Sequence, residues 1–185
     1  MNTDKIKVFA AGNPLLDISV HTEASMIEKY ELMYGGAVLA EPKHEELFKE
    51  LMAMPGMETI PGGSALNTIR CTNFMLSAAG QERACLYFGS IGKDIEVGKW
   101  LSDGVEEEKL NANFSIDEHA HTGKCACVIH DRERALCADL GAAMKYKTEH
   151  MRDNIHLAQS ANILYTTGFF ITSNFEALML IAKFA

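Results

Sequence analysis

Two short runs hold polar side chains at spacings suited to gripping a pair of neighbouring hydroxyls: Gly12-Asn13-Pro14-Leu15-Leu16-Asp17-Ile18 and Pro61-Gly62-Gly63-Ser64-Ala65-Leu66-Asn67. An ionised carboxylate is acceptor-only with two oxygens, so Asp17 could take one hydrogen bond from each hydroxyl of a vicinal diol. Bonds of that kind to a charged acceptor are worth about 1.5–3 kcal/mol each. Asn13 and Asn67 offer donors and acceptors for the remaining hydroxyl valences. Gly62 and Gly63 let backbone approach a ligand with no Cβ in the way, just ahead of a helix whose positive end favours a hydroxylated or anionic group. Each run alone has a plainer role. An Asp near a strand usually bonds local backbone, and Gly-Gly-Ser is a turn followed by an N-cap, here Ser64. Ser64 and Asn67 are three residues apart and share a helix face, which is what tips the balance toward a ligand.

Other chemistry-bearing residues read less sharply. Gly89-Ser90-Ile91-Gly92-Lys93-Asp94 lacks the glycine spacing and the Ser or Thr after Lys that a Walker phosphate loop needs, so it predicts a strand-to-helix loop with Asp94 as N-cap. Cys125 and Cys127 alternate along a strand and read as core. Cys71, Cys85 and Cys137 complete a set with no C-x-x-C pair and no zinc spacing, so buried reduced thiols are expected. His119 and His121 lie in a polar stretch and read as solvated. Arg134 closes a charged hairpin turn, where a guanidinium could reach a phosphoryl group or simply keep the turn soluble. Phe169 and Phe170 stand where a strand ends and could stack on a flat base or pack inward.

The elements that must position these groups follow from periodicity. Residues 7–11 predict a buried strand, 15–21 a more amphipathic one, and 41–53 a helix with a proline near its start. A helix from Ser64 to about residue 79 has Gly80 as its C′ residue. Residues 83–88 predict a strand, and about 95–101 a helix. Residues 124–140 form two apolar runs around Asp131-Arg132-Glu133-Arg134, a hairpin signal. Residues 148–160 predict a helix and 162–167 a buried strand, and Ser173-Asn174-Phe175-Glu176 reads as a capping box. Strands alternating with helices imply a mainly parallel sheet. The apolar helix through residues 178–185 stops without a glycine cap or polar tail, which reads as a cut within a domain.

At 185 residues, 48% hydrophobic and 23% charged, the chain has the bulk properties of an ordinary soluble domain. A net charge of −8 with no Lys/Arg block argues against nucleic acid or an anionic membrane as partner. No stretch reaches the roughly eighteen apolar residues of a membrane span. The opening Met1-Asn2-Thr3-Asp4-Lys5 lacks the apolar core of a secretory signal. A cytoplasmic location is expected, with the nucleus open.

At these motifs the chain resembles the ribokinase-like, phosphofructokinase B family of carbohydrate and nucleoside kinases, and within it the adenosine kinases. The resemblance runs from residue 7 to 185 and corresponds to the N-terminal half of that family's sequence. It is carried by residues 12–18, by 62–67, and in order by Phe88-Gly89-Ser90-Ile91-Gly92-Lys93-Asp94, Thr122-Gly123-Lys124-Cys125 and Gly168-Phe169-Phe170. The implied fold is an αβα sandwich with a small β-lid, truncated at its C-terminal side. Lid segments would fall at about residues 15–40 and 122–141, with the remainder a large α/β domain and the double glycine a hinge.

The implied activity is ATP plus adenosine to AMP plus ADP, a purine salvage step, with Mg²⁺ accompanying ATP. Asp17 and Asn67 would hold the ribose hydroxyls, with Asn13, Gly63 and Ser64 beside them. Leu15, Leu39, Cys125, Leu136, Ala138, Leu140 and Phe169 would wall in adenine and ribose, and Arg134 would meet the phosphates. Three departures from the family pattern stand out: Ala37 where close relatives carry Gln, Asp139 where Asn is usual, and one extra residue between Asp94 and Gly98. The family's catalytic aspartate, anion hole and most of its ATP site lie beyond residue 185. The resemblance therefore implies the nucleoside-binding half, inactive and poorly stable alone, of an enzyme expected to be monomeric at full length. A kinase for another nucleoside or sugar, or a non-catalytic nucleoside-binding protein, are the alternatives.

Overall fold

The computed structural model describes residues 5–185, so the opening segment read above for a leader lies, in residues 1–4, outside the described residues. Strand β1 (Val8–Ala11) pairs in parallel with both β5 (Cys85–Gly92) and β9 (Ile163–Thr166), and β6 (Asn111–Asp117) adds beyond β5. This gives a four-stranded parallel sheet in the order β6-β5-β1-β9. Parallel pairing demands long crossovers. These carry helices α3 (Ser64–Ala78), α4 (Val97–Glu107) and α5 (Thr148–Asn154).

Period-two alternation along the buried strands then splits the core in two. Ala10, Cys85 and Tyr87 face Ala65, Leu66 and Ile69 of α3 and Leu101 and Val105 of α4. Phe9, Ala11, Leu86 and Phe88 face the other way, onto Met151 of α5, Phe170 of α6 (Gly168–Ser173), and Ala177 and Ile181 of α7 (Phe175–Phe184). Helices therefore cover both faces, as an αβα sandwich requires.

A second, mixed sheet has the order β3-β8-β7-β2-β4: β3 (Ala37–Leu39), β8 (Glu133–Asp139), β7 (Lys124–His130), β2 (Leu15–His21) and β4 (Glu58–Gly62). The β7–β8 hairpin turns on Asp131-Arg132, with Asp131 at φ 52°. One face of this sheet, Leu16, Ile18, Val20, Ala126, Val128, Ala135 and Cys137, is buried against Ile27 of α1 (Ala24–Lys29) and Leu47 and Leu51 of α2 (Glu45–Ala53).

Several expectations are corrected. The stretch 89–92 is not loop: β5 runs through Gly92, where it still pairs with Asp117 of β6. Helix α4 starts later and runs longer than residues 95–101 because Leu101 and Val105 continue its apolar stripe. Asp94 lies two residues before the cap position, yet its Oδ2 accepts from the Gly98 N–H at 2.8 Å. Its Oδ1 accepts from the Thr122 N–H and hydroxyl at 2.6 and 2.7 Å, clasping the start of α4 to the turn before β7. Ser64 is the first residue of α3 rather than its cap; Gly63 occupies that position, with no side-chain cap bond. The capping box at Ser173 gives way to Asn174, whose Oδ1 accepts from Ala177 N–H, because α6 occupies the chain up to Ser173. Strand β9 is not buried. It forms the open edge of its sheet, with Ile163 58% exposed. Cys71 is exposed on α3, while the other four thiols are buried and free. Gly80 does close α3: its N–H and that of Gln81 bond back to Ser77 and Leu76, a Schellman pair.

Candidate functional site

The face of the second sheet opposite its core carries most of the predicted site residues, and register explains why. Asp17 pairs with Cys125 and Cys125 with Ala138, which in turn pairs with Leu39. One row further along, Ser19, Cys127, Leu136 and Ala37 line up, and the next row holds His21, Ile129 and Arg134. Residues directly opposite in paired strands project to the same side. Alternate positions of the same strands thus build the core behind and a mixed polar and apolar wall in front.

Asp17 sits against β4. A Cβ placed on Gly62 would fall 2.2 Å from the Asp17 carboxyl carbon, so a side chain there would displace the acid from its position. Gly63 has φ +96°, and a Cβ there would lie 2.2 Å from the Asn13 carbonyl oxygen. Burial raises the Asp17 pKa to about 6, partly offset by the nearby Arg70 and Arg134 guanidinium groups. None of the described residues donates a hydrogen bond to its carboxylate. An acid held in apolar surroundings with two cations nearby and no donor of its own suits a ligand that brings hydroxyl donors. Beside it, burial pushes the Cys125 thiol up to about 12, reinforced by the Asp17 charge, so it serves as apolar wall rather than nucleophile.

Between this sheet and the mouth of the parallel sheet lies a cleft of about 390 Å³. Of the predicted residues it brings together Asn13, Leu15, Leu39, Gly63, Ser64, Ala138, Leu140 and Phe169, with Ala37 also in its wall. Leu39 of β3 and Phe169 of α6, both in its wall, are 65% and 67% exposed, a large apolar surface for two side chains to present. Asp17, Cys125, Leu136 and Arg134 share the sheet face but not the cleft lining. Asn67 lies one turn into α3, at the rim of a separate surface groove of about 580 Å³ shared with Arg70, Phe74 and Glu108.

Three assignments change in detail. Asn13 is 8% exposed and its side chain is already engaged: Nδ2 donates to the Phe169 carbonyl at 3.3 Å, and Oδ1 accepts from the Ser173 hydroxyl at 2.8 Å. Arg134 is not at the hairpin tip but on β8, opposite Ile129, because the turn closes two residues earlier. His121 is not merely solvated, since its Nε2 lies 2.8 Å from Asp139 Oδ2.

Sequence reasoning missed Arg70, Glu108, Thr167 and Thr172. Thr167 and Thr172 line the cleft from the ends of α6. Arg70 is the sole charged residue of α3, one turn beyond Asn67 and largely shielded by neighbours. A lone charge on an otherwise neutral helix was the available signal.

The pfkB family carbohydrate kinase profile matches residues 26–185. The chain is 36% identical over 182 residues to the adenosine kinase of Dictyostelium discoideum, covering 97% of this chain and 52% of that protein. Among solved structures it is similar to the adenosine kinase of Schistosoma mansoni in complex with adenosine, with TM-score 0.84, 34% identity, and coverage of 95% and 50%. It is also similar to the Anopheles gambiae adenosine kinase in complex with P1,P4-di(adenosine-5) tetraphosphate, with TM-score 0.86, 34% identity, and coverage of 95% and 51%. The chain spans about half the length of the curated relatives it matches.

Proposed function

Because the chain belongs to the pfkB family of carbohydrate kinases, we propose that it forms the nucleoside-binding half of an adenosine kinase, which transfers the γ-phosphoryl group of ATP to the 5′-hydroxyl of adenosine. Its parallel sheet, mixed second sheet and flanking helices form the ribokinase-like α/β fold. The observation that carries the substrate is the pairing of a donor-less carboxylate, Asp17, with an apolar cleft of about 390 Å³ on one sheet face. The diol of a ribose meets the acid, and a flat purine fits between Leu39 and Phe169. The two solved structures described above are complexes with adenosine and with P1,P4-di(adenosine-5) tetraphosphate.

The second sheet, including residues 15–21, 37–39 and 124–139, acts as the lid in this reading, and Gly62-Gly63 as its hinge. Closure excludes water and brings Arg134 toward the phosphates. Phosphoryl transfer depends on positioning and charge stabilisation. The chain's part is to orient the acceptor, and turnover needs the donor-side groups carried by the second half of its relatives. Mg²⁺ would accompany the ATP phosphates in this reading. No helix among the described residues is long and apolar enough to cross a membrane. Purine salvage in the cytoplasm is the setting in which this activity is expected.

Calorimetric titration with adenosine, inosine, ribose and fructose tests the reading. Adenosine is expected to bind tightest and free sugars weakest, because only a purine buries Leu39 and Phe169. Equal affinity for ribose and adenosine would point instead to a sugar kinase. Asp17→Ala should weaken adenosine by about 2 kcal/mol or more. An unchanged affinity in a folded variant would remove Asp17 from the site.

A further inference from the structure

The Arg70 guanidinium is the most heavily engaged side chain near the candidate site. Its Nε donates to Glu108 Oε2 at 2.7 Å and a second nitrogen forms the other arm of the pair with Glu108 Oε1. The remaining nitrogen donates both to the Pro61 carbonyl and, at 3.1 Å, to Asn67 Oδ1. One side chain on α3 thereby joins the end of α4, strand β4 immediately before the double glycine, and the asparagine that opens the ligand half of the helix. Glu108 neutralises it, and the fork geometry is one that lysine cannot reproduce.

We propose that Arg70 is the positioning residue for diol recognition: it fixes Asn67 with its oxygen occupied and its amide nitrogen free to donate, and holds Pro61-Gly62 against the Asp17 carboxylate. Arginine has no acceptor, so its partner on Asn67 must be the amide oxygen, which fixes the amide orientation and leaves both N–H groups free to donate. The diol then meets an acceptor-only group, Asp17, and the two amide N–H donors of Asn67. A hydroxyl satisfies both because it donates and accepts. A hydroxyl replaced by hydrogen or fluorine leaves one of the two unpaired, which is the basis for rejecting deoxy sugars. The Arg70 charge also acts on Asp17. The groups facing that acid are Arg70 from α3, Arg134 from β8, and the neutral thiols of Cys125 and Cys127 from β7.

The inference rests on the diol assignment above, and its test is kept separate from that assignment by measuring Asp17→Ala alongside. Adenosine and 2′-deoxyadenosine affinities are measured from pH 5 to 8 for the 185-residue chain and for Arg70→Met and Arg70→Lys. In the native chain, affinity should fall as pH drops through about 6 and Asp17 takes up its proton. Arg70→Met should lose about tenfold in adenosine affinity at pH 8, narrow the preference over 2′-deoxyadenosine, and move the pH midpoint upward. Arg70→Lys keeps the charge and loses the fork, so it should restore the midpoint and leave the affinity loss. Should Arg70→Met fail to fold, Arg70→Lys alone carries the prediction through its split between midpoint and plateau. Native midpoint, affinity and ribose preference in a folded Arg70 variant, with Asp17→Ala still defective, would overturn the role of Arg70 and leave the diol assignment standing. A silent Asp17→Ala would overturn both.

Discussion

The two faces of the second sheet are made from the same five strands and do opposite things. On the rear face, Leu16, Ile18, Ala126, Val128, Ala135 and Cys137 are fully buried and Val20 is 1% exposed, with no polar atom among their side chains beyond one thiol. On the front, Leu39 is 65% exposed, Asp17 carries an acid raised to about 6 by burial, and Arg134 stands in solvent. One residue of register separates the two sets, so a single slip would exchange them. The rear face holds the sheet against α1 and α2 by apolar burial. The front face accepts exposed apolar side chains and an unpaired carboxylate, both unfavourable without a ligand. Stability and recognition are thus divided by side-chain parity rather than by region.

Substitutions on alternate positions break that division most directly. Ile18→Ala on the rear face should destabilise the chain by about 2–5 kcal/mol in a denaturant melt, the range for emptying a fully buried aliphatic site. Asp17→Asn on the front should do the reverse at neutral pH. A carboxyl whose folded pKa is raised from 3.8 to about 6 favours folding when protonated; that contribution is complete below about 3.8 and is lost as pH rises through about 6. Native minus Asp17→Asn stability should therefore fall by roughly 2 kcal/mol between pH 4 and pH 7, read from paired melts. A flat difference would show that the acid is solvated and the contrast between the faces is overstated.

Smaller effects sharpen the picture. Asp94→Ala removes the bonds to Thr122 and Gly98 that join α4 to the turn before β7, and should cost about 1–2 kcal/mol of stability. Burial raises the Asp94 pKa, but the bonds from Thr122 and Gly98 outweigh it and hold the acid below its ordinary value. Its contribution is present above about pH 4 and fades as pH falls further, opposite in sign to that of Asp17. Leu39→Ala should leave stability within about 0.5 kcal/mol, as exposed substitutions usually do, while weakening adenosine measurably in the calorimeter.

Much of this division was legible in the sequence. Strand β2 has the bounds its alternation predicts, and the hairpin β7–β8 is marked by two apolar runs around a charged turn. Strand β4 was missed because Glu58-Thr59-Ile60-Pro61-Gly62 contains a proline and a glycine, and an edge position with an outward N–H is where a sheet tolerates proline. Strand β6 hides behind Asn111, Asn113 and Ser115; the two asparagine amides donate to the Cys85 carbonyl and Asn154 Oδ1 inside the fold, and the Ser115 carbonyl accepts from the Ser90 hydroxyl. Helices α1 and α6 have six residues each, too short for a period to show. At the site, residue types were readable and partners were not. Nothing in the spacing reveals that Asn13 reaches a carbonyl 156 positions away, or that Arg70 meets Glu108 across 38.

The Asn13 bonds have a consequence for how ligand parts are felt. The loop that leads to Asp17 and the short helix that presents Phe169 are yoked through one buried amide, so neither can shift without dragging the other. Altering the sugar of a nucleoside should change the benefit of altering its base, and a double cycle over modified ligands should show energies that fail to add.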